Sequence, residues 1–397
     1  MSWVGDVTGS GFGLAHLPYG VVRRGAAEPV VACRIGAYAL DLAAAERVGL
    51  VEAGGAFQRP TLNAFLALGR PEWARVRERI TELLADPDHR PAVKPLLHNV
   101  SELEYELPIE VADYVDFYSS EHHAANVGRI FRPGQPELLP NWRQLPVGYH
   151  GRAGTVVVSG TPVVRPAGQR REGDFGPTAR LDIEAELGFV VGVGSALGRP
   201  VPAGDFRDHV FGVVLVNDWS ARDIQAWEYQ PLGPFLAKAF ATSVAAWITP
   251  LAALDAARVP APPQAPAVLP YLVERDRYGY DVRMSVSWNG SVVSRPPCAG
   301  LYWTPAQQLA HLTVTGARLR TGDLYASGTV SGPTRAEVGS FLELTWGGTE
   351  PVTLADGGTR TFLADGDEVV IDATAVGRGG EQIRLAPVRG TIEPSIG

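Results

Sequence analysis

Three carboxylates alternate along one short segment of the 397-residue chain: Asp182, Glu184 and Glu186. Successive side chains of a strand point to opposite faces, so these three acids are predicted to share one face. An isolated D-x-E-x-E pattern is also typical of a solvated edge strand. However, the apolar run Phe189–Val193 that follows favours a buried strand. Carboxylates at the mouth of a buried strand require a cation, so the segment predicts a metal site.

A fourth carboxylate, Asp218, ends the apolar run 211–216 and precedes a predicted helix with Ser220 and Asp223 as candidate caps. This helix presents a polar stripe formed by Arg222, Gln225 and Tyr229. The spacing i, i+3, i+7 places all three on one helix face, which is either an ordinary surface face or a ligand-facing one. Lys238 follows among small and apolar residues, where a casual surface charge is unusual.

A third cluster places Asp116, Tyr118 and two adjacent histidines within eight residues. Ser119 or Ser120 can cap a short helix that carries His122 and His123. Adjacent helical residues point about 100° apart, so only one of the two histidines can face a given site. A lone histidine is more often structural than catalytic. The acids and the tyrosine close to these histidines favour a catalytic role.

The sequence predicts few helices around these groups. The segment Pro71–Asp86 reads as a helix because its apolar residues recur at helical spacing, and Thr304-Pro305 with Gln307 predicts a capped helix. The pair Asn289-Gly290 between two alternating runs predicts a hairpin. The predicted strands are Val21–Val22, Val30–Ala32, Thr155–Ser159, Ile183–Val193, Val210–Val216, Val282–Trp288, Ser291–Ser294, Phe341–Trp346 and Glu368–Ile371.

The predicted fold is therefore mainly β (α+β) in two domains, residues 1–108 and 109–397, since 397 residues exceed one ordinary core. In the strand 341–346, Glu343 points away from its apolar neighbours, as a solvent-facing residue would. The segments 86–95 and 256–270 are predicted to be a surface connection and an exposed loop.

Composition narrows the class of function. The net charge of −8, without a basic tract, argues against nucleic-acid binding, and no apolar run is long enough to span a membrane. The two cysteines lie far apart and the N-terminus lacks a signal-peptide pattern, so a cytoplasmic enzyme is expected. No phosphate-binding loop, G-x-S-x-G, H-E-x-x-H or cysteine zinc pattern is present. Four carboxylates without a Cys/His set favour Mg²⁺ or Ca²⁺, with no organic cofactor.

Several long motifs resemble the fumarylacetoacetate hydrolase family, almost from end to end. They are Leu17–Val21, Thr61–Phe65, Asp116–Ser120, Asn126–Gly128, Pro140–Trp142, Leu145–Arg152, Asn217–Gln225, Trp227–Phe235 and Ser327–Pro333. The resemblance implies a small N-terminal SH3-like barrel, a large β-roll catalytic domain and a homodimer. It also implies metal-dependent cleavage of a carbon–carbon bond in 4-fumarylacetoacetate, giving fumarate and acetoacetate at the end of tyrosine and phenylalanine catabolism.

The same resemblance assigns roles position by position. The carboxylate metal ligands are Asp116, Glu184, Glu186 and Asp218, and a second cation lies near Asp218, Lys238 and Thr242. His123 is the general base, Glu343 orients it, and the oxyanion donors are Arg222, Gln225 and Lys238. The substrate-binding residues are Tyr118, Arg132, Tyr149, Gln225, Tyr229 and Thr329. Ala237 and Ala241 stand where the family often has glycine, which would strain the second ion site if the backbone there needs a positive φ.

Two other interpretations stay open at this point. One is a relative of the same superfamily that acts on another 2-oxo or 3-oxo acid as an acylpyruvase, decarboxylase or hydratase. The other is a non-catalytic, Ca²⁺-stabilised β-rich binding protein.

Overall fold

A computed structural model describes residues 2–5, 7, 9–355 and 357–396. The chain is mainly β, as predicted, and its helices are short apart from Arg70–Ala85. The other helices in the described ranges are Leu42–Arg47, Asn63–Leu66, Arg90–Val93, Glu121–Phe131, Phe206–His209, Arg222–Glu228, Pro305–Thr313 and Phe341–Leu344. None of them combines the length and the apolar character that crossing a membrane requires.

The largest sheet among the described residues has thirteen strands and runs through both halves of the chain. Its strands along the main path are, in order, Leu97–Asn99, Tyr38–Asp41, Val30–Ile35, Tyr19–Arg23, Trp247–Pro250, Val210–Asp218, Ala185–Val191, Leu324–Ala326, Tyr114–Phe117 and Gly148–His150. Strand Glu104–Glu106 joins at Tyr19–Arg23, and Thr242–Val244 connects Val210–Asp218 to Val156–Val158. The first five strands of the chain pair antiparallel and form the N-terminal part of this sheet.

The junction between the two regions is a narrow strand pairing, in which Tyr19 lies opposite Ile248 and Gly20 opposite Trp247. A side chain at position 20 would collide with the Ala246 carbonyl oxygen at 2.7 Å, so the close approach requires glycine. Aromatic rings continue the core across this junction. Phe211 contacts Tyr19, Phe65 and Trp73 at ring-centroid distances of 5.5, 5.8 and 5.2 Å.

The second sheet has five strands among the described residues: Ser291–Ser294, Arg283–Trp288, Glu368–Val376, Gln382–Glu393 and Val163–Val164. The hairpin across Asn289-Gly290 is confirmed, with Asn289 at φ 46° and Gly290 at φ 78°. Four strand pairs complete the β structure: Ala167–Arg171 with Asp174–Pro177, Leu181–Asp182 with Ser220–Ala221, Arg258–Pro260 with Tyr278–Tyr280, and Val352–Thr353 with Thr359–Arg360.

Several local predictions are confirmed and several are wrong. The helix predicted at 71–86 spans Arg70–Ala85, and Thr304 with Gln307 forms the expected capping box. The predicted surface connection 86–95 contains the short helix Arg90–Val93, and strand Arg258–Pro260 interrupts the predicted loop 256–270. The predicted strand 341–346 is wrong, because Phe341–Leu344 is a helical turn whose N-cap is Ser340.

Candidate active site

Three carboxylates meet where two strands of the large sheet lie on either side of a third. Strand Leu324–Ala326 lies between Ala185–Val191 and Tyr114–Phe117, and so brings Asp116 beside Glu186. Oxygen atoms of Asp116, Glu184 and Glu186 all lie within 4.8 Å of one another. The three residues are 2, 5 and 0 % exposed, so water cannot screen their mutual repulsion.

The charges of this group are only partly neutralised. Glu184 pairs with Lys238 Nζ at 2.5 Å and Arg222 Nη1 at 2.8 Å, whereas Asp116 Oδ1 and both carboxylate oxygens of Glu186 have no hydrogen-bond partner. Burial first, and then neighbouring carboxylates, raise the pKa values of Asp116 and Glu186 well above their ordinary range. Unpartnered buried carboxylate oxygens are the ligands that a hard divalent cation takes, so the residues present fit such an ion.

Asp218 ends strand Val210–Asp218 beside this group but has partners of its own. Its Oδ2 accepts hydrogen bonds from the Tyr149 hydroxyl at 2.7 Å and Lys238 Nζ at 3.0 Å, and its Oδ1 accepts from Thr242 Oγ1 at 2.8 Å. It lies outside the group of three carboxylates whose oxygen atoms are within 4.8 Å of one another. The role of Asp218 as a metal ligand therefore stays a prediction.

The predicted second cation site centres on the same contacts, since Lys238 and Thr242 both bond to Asp218. The buried Lys238 ammonium, 3 % exposed, already supplies one positive charge there. Burial alone would lower its pKa, but Asp218 and Glu184 outweigh burial and raise it. Neither Ala237 nor Ala241 has a positive φ, so the strain that alanine would cause at a left-handed position does not arise.

His123 lies in helix Glu121–Phe131, with Ser120 as its N-cap. The Ser120 hydroxyl accepts a hydrogen bond from the His123 amide at 3.3 Å, which confirms the predicted cap. His123 is 2 % exposed and faces the carboxylates, while its neighbour His122 faces solvent. His123 Nδ1 lies 2.7 Å from Glu343 Oε2, and Nε2 lies 4.0 Å from Glu184 Oε1.

Glu343 is buried, not solvent-facing as the strand prediction implied, and is 3 % exposed. Its carboxylate accepts hydrogen bonds from Asn126 Nδ2 at 2.9 Å, Ser331 Oγ at 2.9 Å and Ser340 Oγ at 2.8 Å. Burial would raise the pKa of Glu343, but the His123 imidazole and these hydrogen bonds outweigh burial and lower it. Glu343 is therefore ionised and fixes the imidazole so that Nδ1 donates and Nε2 faces the site.

Arg222 and Gln225 project from helix Arg222–Glu228 towards the same centre. Arg222 Nη1 donates to Gln225 Oε1 at 2.9 Å and contacts Glu184, while its Nη2 is buried without a partner. The predicted helix caps are wrong: the N-cap is Ala221, without a side-chain bond. Asp223 instead accepts hydrogen bonds from Thr178 and the Ala179 amide, and Ser220 donates to the Asp218 carbonyl oxygen.

Asp182 has a role that the sequence pattern did not indicate. The strand predicted at 183–193 spans Ala185–Val191, and residues 183–184 separate it from the short strand Leu181–Asp182. Asp182 lies outside the group of three carboxylates. Its carboxylate accepts from Arg222 Nε at 2.7 Å and from the backbone amides of Phe341 and Leu342 at 2.7 and 3.0 Å. Asp182 thus ties Arg222 to the helical turn that carries Glu343.

The predicted substrate-binding residues lie around this centre. The Tyr118 ring packs edge-on against His123 with centroids 5.4 Å apart, and Tyr229 stacks on Phe131 at 6.4 Å. Arg132 Nε and Thr329 Oγ1 are buried donors without a partner, as is Tyr114 Oη, which the sequence reasoning missed. The site therefore contains hydrogen-bond donors without a partner as well as the unpartnered carboxylate oxygens of Asp116 and Glu186.

Two family profiles match the chain. One, described as Fumarylacetoacetase N-terminal, matches residues 15–108, and the other, Fumarylacetoacetate (FAA) hydrolase C-terminal, matches residues 113–384. The chain belongs to the fumarylacetoacetase family. It is 46 % identical to a fumarylacetoacetase of Oryza sativa over all of this chain and 97 % of that protein. It is also 43 % identical to the Homo sapiens fumarylacetoacetase over all of this chain and 99 % of that protein.

Solved structures support the family fold. A fumarylacetoacetate hydrolase from Exiguobacterium antarcticum superposes with a TM-score of 0.56 at 14 % identity, covering 95 % of this chain and 99 % of that one. A maleylpyruvate hydrolase from Sphingobium, in complex with manganese(II) and pyruvate, superposes with a TM-score of 0.51 at 15 % identity, covering 96 % of this chain and all of that one. At such identities the likeness establishes the fold alone.

Proposed function

We propose that this chain hydrolyses the carbon–carbon bond of 4-fumarylacetoacetate to fumarate and acetoacetate. The observation that carries the proposal is the position of His123, which is held by Glu343 on one side and faces the carboxylate group on the other. The fumarylacetoacetase relatives, aligned along the whole chain, support this choice of substrate.

The imidazole of His123 acts as the general base. The Nδ1–H group donates a hydrogen bond to the ionised Glu343 and keeps its proton. Nε2 is therefore unprotonated and takes a proton from water. The resulting hydroxide attacks the carbonyl carbon of the fumaroyl part, and the adjacent carbon–carbon bond breaks. The hydroxyl stays with fumarate, the bonding electron pair leaves with acetoacetate, and the proton that His123 took from water is returned to complete the methyl group of acetoacetate.

A divalent cation, Mg²⁺ or Ca²⁺, fits the residues Asp116, Glu184, Glu186 and Asp218 as its carboxylate ligands. When bound, such an ion supplies Lewis-acid stabilisation of the negative charge that develops on the diketone oxygens. The unpartnered oxygens of Asp116 and Glu186 support this proposal. A second cation beside Asp218, Lys238 and Thr242 is part of the same proposal. No organic cofactor is required.

Arg222, Gln225 and Lys238 stabilise the oxyanion. The unpartnered Arg222 Nη2 is a buried donor available to substrate, and each such donor contributes on the order of 10²–10³-fold in a dry site. Tyr118, Arg132, Tyr149, Tyr229 and Thr329 hold the substrate, with Arg132 and Thr329 offering free donors to its carboxylate and keto oxygens.

The test is a spectrophotometric assay of fumarylacetoacetate loss, run with and without a chelator. We expect turnover that chelation abolishes and that added Mg²⁺ or Ca²⁺ restores, and a loss of about 10²–10⁴-fold in His123→Ala. His122→Ala is the matched control, since that neighbouring imidazole faces solvent. Faster turnover of acylpyruvates than of fumarylacetoacetate would contradict the proposed substrate.

The domain boundary, the location, the oligomeric state and the partners also belong to this proposal. We place the domain boundary at residue 108, so that 1–108 forms the N-terminal domain and 109–397 the catalytic domain. We propose a cytoplasmic homodimer in tyrosine and phenylalanine catabolism, with no nucleic-acid or membrane partner. The buried free thiols of Cys33 and Cys298 support a reducing compartment. Light scattering of the purified protein tests the dimer.

A further inference from the structure

Lys238 reaches the buried site from a segment of the chain that lies at the surface. The 3₁₀ turn Leu236–Lys238 follows Leu232 and Phe235, which are 96 and 66 % exposed, and its own first residue Leu236 is 58 % exposed. The ammonium at the end of that turn lies 2.5 Å from Glu184 and 3.0 Å from Asp218. Little apolar packing fixes the segment before Ala237, so another interaction must hold the turn in place.

That interaction is provided by Glu228, the last residue of helix Arg222–Glu228. Its Oε1 accepts hydrogen bonds from the amides of Phe235 at 2.8 Å and Ala237 at 2.9 Å, and its Oε2 accepts from Leu236 at 3.1 Å. The three amides are consecutive and open the turn, whose N-cap Phe235 supplies no side-chain bond of its own. Glu228 therefore caps the turn from another element.

Stabilisation of its own helix does not explain this glutamate. A negative charge in the last turn of a helix opposes the helix dipole. Among the described residues Glu228 has no ion pair within 4.0 Å, although ion pairs with arginine are frequent elsewhere in this chain. Its carboxylate bonds to the amides of residues 235–237, at the start of the turn.

We propose that Glu228 is a positioning residue for the reaction proposed above, on which this inference rests. The helix that ends at Glu228 begins at Arg222, and Arg222 and Lys238 hold different oxygens of Glu184. By binding the turn, Glu228 fixes the distance between these two positive charges around one carboxylate. Loss of its carboxylate lets Lys238 move away from the developing oxyanion while the substrate contacts of the other elements remain.

The matched variants are Glu228→Ala and Glu228→Gln, with Glu46→Gln as the control. Glu46 Oε1 also accepts two backbone amides, those of Ala53 at 3.0 Å and Gly55 at 2.9 Å, but in the N-terminal region. Displacement of a catalytic group by about 1 Å costs on the order of 10²-fold. We expect kcat to fall about 10- to 100-fold in Glu228→Ala and less in Glu228→Gln, with KM within about twofold, whereas Glu46→Gln keeps its kcat.

A double-mutant cycle separates positioning from general destabilisation. If Glu228 acts through Lys238, adding Glu228→Ala to Lys238→Ala changes kcat by less than about twofold. An equal fall of kcat on both backgrounds overturns the inference, as does an unchanged kcat in the single variant.

Amide hydrogen exchange tests the same contact without turnover. We expect the amides of residues 235–237 to exchange at least about tenfold faster in Glu228→Ala than in the wild-type protein, and exchange at residues 53–55 to stay the same. Unchanged exchange at 235–237 contradicts the positioning role. If the wild-type protein does not cleave fumarylacetoacetate but exchange is faster in the variant, the proposed function is refuted. The contact between Glu228 and the turn is then still supported.

Discussion

Charged residues are arranged differently in the N-terminal region and in the catalytic region. In the N-terminal region, Arg23 pairs with Glu104 with side chains 36 and 58 % exposed. In the catalytic region, Arg222 and Asp182 pair with side chains 2 and 0 % exposed. Exposed pairs contribute little to stability, while buried charges require compensation by specific partners. The buried pair at the proposed active site therefore depends on its specific partners, whereas the exposed pair of the N-terminal region can be lost with little effect on stability.

The largest effect is expected from Asp116→Ala, which removes one of the unpartnered carboxylate oxygens of the site. Turnover should fall on the order of 10³-fold because the site loses a cation ligand. The melting temperature of chelator-treated protein should not fall, because a buried carboxyl group with an unpartnered oxygen is gone. Kinetics and thermal unfolding in chelator measure the two effects. Turnover within tenfold of the wild-type value would contradict the metal site.

A smaller effect is expected from Glu343→Gln. The amide can neither carry the charge that stabilises imidazolium nor fix the Nδ1 proton, so kcat should fall about 10²-fold. KM and the metal requirement should stay unchanged, as steady-state kinetics at varied metal concentration can show. A variant that loses metal affinity but keeps kcat at saturating metal would overturn the orienting role.

In the N-terminal region, the buried His16 predicts a pH dependence of stability. Its ring bonds to the Gly11 carbonyl and Thr249 Oγ1, and burial lowers its pKa from 6.5 to about 3. Between those values only the unfolded chain binds the proton, so the free energy of unfolding falls as the pH falls below 6.5. The loss is roughly 1.5 kcal/mol between pH 6.5 and 5.

The measurement is urea unfolding of wild-type protein and His16→Gln at several pH values in chelator. The difference between the two proteins should shrink as the pH falls, while His122→Gln, at an exposed position, should follow the wild type. Parallel pH profiles for wild type and His16→Gln would show that His16 titrates equally in both states.

The smallest effect is expected from Arg23→Gln, which removes exposed pairs with Glu104 and Glu106. The free energy of unfolding should change by less than about 1 kcal/mol, and by less still at high salt. Turnover should not change. A larger loss would show that the surface pairs of the N-terminal region do contribute to its stability, and would weaken the contrast with the catalytic region.

Local signals in the sequence predicted the fold well where residues close in the chain determine it. Helix Arg70–Ala85 follows from apolar spacing, and the hairpin at Asn289-Gly290 follows from turn chemistry. The segment Phe341–Trp346 predicts a strand but forms the helical turn Phe341–Leu344, because so short an apolar-rich run fits either period. Its helical turn is held by Asp182, about 160 residues earlier, a contact that no local pattern reveals.

The same limit applies to the site. Helix geometry indicates that only one of the adjacent residues His122 and His123 faces the site, but not which one. The assignment to His123 came from the family resemblance. Alternation placed Asp182 with Glu184 and Glu186, but the strand breaks between them, so Asp182 supports Arg222 instead. Glu228 carried no recognisable pattern, since its three amide partners lie seven to nine residues further along the chain.

The narrow pairing of Tyr19–Arg23 with Trp247–Pro250 has a consequence for the solubility of the protein. Without the N-terminal region, Trp247–Pro250 would expose unpaired backbone groups. The ring of Phe211 would also lose its contact with Tyr19 and become exposed. A bare strand edge beside an apolar patch invites pairing between copies and aggregation. Truncation before residue 108 should therefore yield insoluble protein even though every proposed active-site side chain is retained.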